Sequence, residues 1–266
     1  MKQRIITGVI AGIVFITLLV LGGYSYAALI VLLAVVGYGE YIRMNGYTAH
    51  KGTAAIGLVA TLLLAVPWSS FGIPLLEKLD SAALIWIAML ALLFITVASK
   101  NVVTIDQAAV VLLGVVYMGF GFHYMIATRL PEHGLFWTML VFVCIWATDS
   151  GAYFVGSLIG KHPLWPQISP KKSIEGAVGG IVISVIAACI FAWSEPALLT
   201  FGRAVEFGVL IGIVGQIGDL IQSAYKRVKG IKDTGAILPG HGGVLDRVDS
   251  WLIVFPFVHL LGLIPQ

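Results

Sequence analysis

Long apolar runs separated by short polar breaks dominate this chain, and the runs do not alternate with the period of two that marks a half-buried strand. Nine runs stand out, at 5–22, 24–43, 53–68, 82–98, 105–128, 135–155, 174–193, 205–222 and 250–264. A bilayer core needs roughly 20 apolar residues per helix. The pattern therefore predicts an all-α, polytopic integral membrane protein with about nine transmembrane helices. A β-barrel is excluded, because its strands are shorter and alternate. The first run, behind Lys2 and Arg4, has the look of a signal peptide, with Ser25-Tyr26-Ala27 placed like a cleavage site. Its nearly unbroken passage into the second run argues for a retained helix.

Composition agrees with the pattern. Of 266 residues 59% are hydrophobic and 11% charged, against roughly 25% charged in a soluble domain. The 31 glycines suit helices whose backbones approach closely in lipid. Cys144 and Cys189 lie inside apolar runs with no metal-ligand partner nearby, and read as small apolar filler. A soluble enzyme, a disordered tail and a secreted disulfide scaffold are excluded. With nine spans, 13 of the 16 Lys and Arg fall on the side of the N-terminus; only Lys78, Arg129 and Arg203 fall opposite. The positive-inside rule then predicts a cytoplasmic N-terminus.

Polarity is lopsided along the chain. Residues 1–140 read as a transmembrane helical scaffold, and 141–266 carry nearly all the chemistry. Asp149 and Asp219 lie within or at the end of apolar runs, where a carboxylate costs about 2.5–3.5 kcal/mol and faces a cavity or a partner; the bland alternative is a helix end in headgroup water. Continuing the eighth helix puts Asp219, Ser223 and Lys226 on one face. If Val244 opens the ninth, Asp246 and Asp249 share a face too. Between them, 226–249 hold five cations, three acids and the turn Pro239-Gly240-His241-Gly242-Gly243. Carboxylates suit Mg²⁺, cations neutralise phosphate oxygens, and glycines admit backbone N–H groups to phosphates. A purely topogenic basic loop would explain the lysines but not the acids and glycines beside them. Ser169-Pro170-Lys171-Lys172-Ser173, ahead of an apolar helix, reads equally as a phosphate-binding loop or a topogenic one; Ser173 is its N-cap, without a capping box.

At these residues the chain resembles the phosphatidate cytidylyltransferase (CDP-diacylglycerol synthase) family. The resemblance runs from Ser223 through Lys226-Arg227, Lys232-Asp233 and Pro239-Gly240-His241-Gly242-Gly243 to Asp246-Arg247-Val248-Asp249. Upstream it takes in Asp149-Ser150-Gly151, Gly160-Lys161-His162, Ser169-Pro170-Lys171-Lys172-Ser173 and Gly218-Asp219. Two positions depart from the family pattern, Tyr225 for an aliphatic residue or Phe and Ser157 for Arg. The likeness covers roughly 145–250.

The resemblance implies transfer of CMP from CTP to phosphatidic acid, giving CDP-diacylglycerol and pyrophosphate for phospholipid synthesis in the cell membrane. It implies Asp219, Asp246 and Asp249 as metal-site carboxylates for Mg²⁺, alone or with a second cation. Lys226, Arg227, Lys232 and Arg247 would clamp phosphates. Ser223, His241, Gly242, Gly243, Lys171, Lys172 and Asp149 are expected to line the substrate site. It also implies a homodimer with its site on the cytoplasmic side; no nucleic-acid partner is expected. Two rivals remain, a kinase that could use the same acids and a transporter resting on Asp149 and Asp219 within spans. A CTP-dependent polyprenol or phytol kinase would release CDP, and a transporter would leave 246–249 unexplained.

Overall fold

The computed structural model describes residues 2–49, 51–72, 80–237 and 242–265. Ten helices are seen among them: α1 (Lys2–Leu21), α2 (Gly23–Met44), α3 (Lys51–Ala65), α4 (Ser81–Ala98), α5 (Ile105–Arg129), α6 (Gly134–Ile159), α7 (Ile174–Ser194), α8 (Phe201–Val228), α9 (Leu245–Val248) and α10 (Trp251–Leu260). A small antiparallel hairpin of β1 (Pro163–Trp165) and β2 (Ser169–Ser173) links α6 to α7.

The protein is an all-α polytopic membrane protein. Six helices, α2 and α4 to α8, are long and apolar enough to cross a bilayer. Apolar side chains such as Ile10, Trp86, Phe94, Val182 and Ile190 stand exposed along their helices, which water would penalise and lipid does not. Each of the nine apolar runs coincides with a helix, but α3 and the C-terminal helix are short. At about 1.5 Å per residue, the 10 residues of α10 reach only half-way through a bilayer core. The expectation of a ninth helix opened by Val244 is corrected here, because the helix breaks after Val248. The break has a local cause: the Asp249 carboxylate accepts the Ser250 N–H at 2.7 Å, and the Ser250 hydroxyl donates to the Gly215 carbonyl at 3.0 Å, bonds that compete with helix continuation. Asp246 thus lies in α9, whereas Asp249 falls between α9 and α10.

The chain forms two compact units, Met1–Pro131 with Asp233–Arg247, and Glu132–Lys232 with Val248–Gln266. Residue 140 falls inside α6, and 233–247 belongs to the first unit. In the first unit α5 packs against α2, α3 and α4. Arg129 ends α5 by donating to the carbonyls of Leu19 and Val20 at 2.8 and 2.9 Å, which satisfies the last turn of α1.

In the second unit α7 lies between α6 and α8. Gly176 and Gly180 put the α7 backbone directly on α6: a Cβ at either would stand 2.7 Å from a carbonyl oxygen, of Ala152 and Thr148 respectively. This small-xxx-small contact is the packing that lipid favours. Phe142 stacks with Trp146 and meets Trp251 and Phe255 edge-on, holding α10 to α6. Ser173 caps α7 by accepting the Gly176 N–H at 3.1 Å.

Candidate active site

The residues expected at the site divide between the two units. In the second, α8 carries Asp219, Ser223, Lys226 and Arg227 on one continuous helix, and its 28 residues exceed a bilayer thickness so that the basic end extends beyond the apolar core. Strand β2 brings Lys172 to Asp219, and the two form an ion pair with 24% and 31% of their side chains exposed. Neighbouring Lys171 is exposed. Arg227 donates through Nε to the Ile168 carbonyl at 3.2 Å, tying the end of α8 to the hairpin.

Asp249 is 9% exposed. Gly218 makes room for it, since a Cβ there would lie 2.9 Å from both the Asp249 carbonyl oxygen and the Ser250 Cα. Burial holds the Asp249 carboxyl well above the usual carboxylate range. The charges of Asp219 and Asp149 push it further up, while the Ser250 N–H and Lys226 act against them. Three acids of this unit thus share one electrostatic neighbourhood, in which Lys226 acts on Asp249 and Lys172 pairs with Asp219.

In the first unit the stretch from 233 wraps two carboxylates. Asp246 Oδ2 accepts the Thr234 N–H at 2.8 Å, the Thr234 hydroxyl at 3.0 Å and the Gly243 N–H at 2.9 Å. Glu40, on α2, accepts the N–H groups of Val244 and Leu245, each at 2.9 Å, and lies 3.1 Å from the Thr234 hydroxyl. Gly242 turns the chain at φ +80°, and a Cβ on Gly243 would run into Glu40 and Thr234. Lys232 and Arg247 are exposed. His241 lies outside the described residues.

Among the described residues no group of three His, Cys, Asp or Glu side chains can hold a metal ion by itself. Magnesium usually takes only one or two carboxylates and fills its shell with phosphate and water oxygens. The hard oxygens of Asp219 and Asp249 fit that demand. So does the charge pattern, in which the Lys172 ammonium already rests on Asp219 and like-charge repulsion penalises Asp249.

The sequence model of the Cytidylyltransferase family matches residues 2–264. This chain belongs to that family. Among the cytidylyltransferases it resembles, a Bacillus subtilis (strain 168) protein named phosphatidate cytidylyltransferase is 41% identical over 264 residues, 98% of this chain and 97% of that protein. Proteins of the same name from Staphylococcus haemolyticus (strain JCSC1435) and Staphylococcus aureus (strain COL) are 37% and 36% identical over 261 residues, each covering 98% of both chains. The cytidylyltransferase match therefore extends well beyond 145–250 and includes the N-terminal helices.

One residue of this cytidylyltransferase escaped the sequence reading altogether. Glu40 lies in the second apolar run, within the part read as scaffold, and it reaches residues some 200 positions away. The available signal was an acid inside a run otherwise apolar between Tyr24 and Tyr41, the same signal that singled out Asp149 and Asp219.

Proposed function

We propose that this protein transfers CMP from CTP to phosphatidic acid, releasing pyrophosphate and forming CDP-diacylglycerol, at the cytoplasmic face of the cell membrane. The observation that carries the reading is the full-length 41% identity to a protein named phosphatidate cytidylyltransferase. The acids and cations assembled around Asp249 support it.

In the reaction a lipid phosphate oxygen attacks the α-phosphorus of CTP. The new P–O bond forms as the bond from the α-phosphorus to the bridging oxygen breaks, and pyrophosphate leaves with that electron pair. The nucleophile is already anionic, so the protein must mainly position two polyanions and neutralise their charge. Lys172, Lys226 and Arg227 are suited to neutralise phosphate oxygens in the second unit. Asp219 and Asp249 would hold Mg²⁺, which when bound screens the triphosphate and the departing pyrophosphate. Asp246 is a third candidate ligand, with Oδ2 engaged by the 234 and 243 backbone and its orientation thereby set. Lys232, exposed in the second unit, and Arg247, exposed in the first, supply further positive charge for anionic substrates. The excess of Lys and Arg on one side supports a cytoplasmic site, where CTP is found, with the acyl chains of phosphatidic acid remaining in the bilayer. On the family resemblance alone we propose a homodimer, which light scattering in detergent tests.

The decisive assay supplies detergent-solubilised protein with CTP labelled at the α-phosphate, phosphatidic acid and Mg²⁺. Label should enter the lipid phase with stoichiometric pyrophosphate, and a chelator should stop it. Free CDP together with a phosphorylated polyprenol would establish a kinase instead. Folded protein that consumes no CTP would overturn the reading.

A further inference from the structure

Glu40 is 1% exposed, near the end of α2 and flanked by buried Tyr38 and Tyr41. A carboxylate taken out of water is costly unless its oxygens are saturated with hydrogen bonds. Here they accept from the Val244 and Leu245 N–H groups, with the Thr234 hydroxyl beside Oε2. Holding a helix against a loop requires no charge, and an apolar side chain would do it at lower desolvation cost. What the carboxylate adds is direction. Val244 and Leu245 are the two residues immediately before Asp246. Thr234 contacts both Glu40 and Asp246, and having one hydroxyl proton it donates to one of them at a time. Gly235 and Gly243 approach Glu40 so closely that a Cβ at either would collide with its carboxylate. Glu40 thus holds described chain that precedes and follows 238–241 in sequence.

We infer that Glu40 is a positioning residue for the transfer reaction. It fixes the backbone of 234–235 and 243–245 and so orients the Asp246 carboxylate, without touching substrate. The inference rests on the proposed function for its kinetic reading, and on the hydrogen bonds alone for its structural reading.

Two variants test it. Glu40→Gln keeps the shape but turns one acceptor oxygen into an NH₂ facing a backbone donor. Thr234→Val keeps the volume and removes the hydroxyl between the carboxylates. Loss of an orienting partner typically costs 10–100-fold, so both variants should lower kcat by about 10-fold or more, with KM for phosphatidic acid within about 2-fold of wild type. Hydrogen exchange should quicken in the peptide spanning 242–248 and stay unchanged in α6 to α8. A structural role alone would instead quicken exchange throughout and lower the amount of active enzyme. Wild-type kcat in both variants, or globally faster exchange in both, would overturn the inference. If Glu40→Gln does not accumulate, Thr234→Val decides by the same criteria. If wild type makes no CDP-diacylglycerol, the functional reading fails, and local exchange in the two variants still decides whether Glu40 holds this segment.

Discussion

Asp249 concentrates the tension in this molecule. Its carboxyl is buried beside Asp219 and within reach of the Asp149 charge, which raises its pKa in the folded protein from an ordinary value of about 4 to about 7. A carboxyl whose folded-state pKa is raised costs nothing below the unfolded value and destabilises the fold increasingly as pH rises through the folded one. In chelator, the melting temperature of wild type should therefore fall between about pH 4 and pH 7 relative to Asp249→Asn, which lacks that titration. The variant should melt higher than wild type at neutral pH while losing CMP transfer. A melting temperature at neutral pH below that of wild type would show that the buried charge is not penalised. Gly243 offers a second test. A Cβ there has no space between Glu40 and Thr234, so Gly243→Ala should cost about 1–3 kcal/mol of stability and most of the transferase activity, read by thermal melting and by the CTP assay. Asp149 and Asp219 were legible as chemistry because an acid in an apolar run demands a reason. Glu40 carried the same mark, but the long-range partners that give it meaning lie some 200 residues away and only the fold brings them near.

Among the elements, α7 has the most demanding packing. Gly176 and Gly180 let it lie on α6 with backbone carbonyls in contact, and apolar lipid on the outer face offers no hydrophobic drive to compensate for a lost contact. Gly180→Leu should push the two helices apart and lower the melting temperature in detergent by several degrees. The activity of protein that remains folded should fall as well, because β2, which carries Lys172 to Asp219, leads directly into α7. Unchanged melting would show that the α6–α7 contact is loose. The apolar runs announced the long helices to within about six residues at either end, since their apolar length follows from what a bilayer demands. The C-terminal run did not behave so simply. Its helix begins where the run does but stops at Leu260, just ahead of Gly262 at φ +62°, so α10 is shorter than the run that foretold it.

At the scale of the whole protein, the signature from Ser223 to Asp249 is continuous in sequence and discontinuous in structure. Lys232 ends a stretch of the second unit, Asp233–Arg247 belongs to the first, and Val248 returns to the second. The positive-inside asymmetry predicts that this signature lies in the cytoplasm. A cysteine at Lys229, in a background with Cys144 and Cys189 replaced, should react with an impermeant maleimide in inside-out vesicles and not in right-side-out ones; a cysteine at Arg203 should do the reverse. The opposite pattern would invert the topology and separate the signature from cytosolic CTP. By itself the sequence determined that the chain crosses a membrane as helices and that it resembles the cytidylyltransferases. Those properties depend on apolar length and on residue type at short spacing, both local. Only the tertiary structure decided that Lys172 meets Asp219, that Asp249 is buried among acids, and that Glu40 clamps the segment before Asp246. Those contacts join positions far apart in the chain, and burial is a property of the packed neighbours and not of the residue itself.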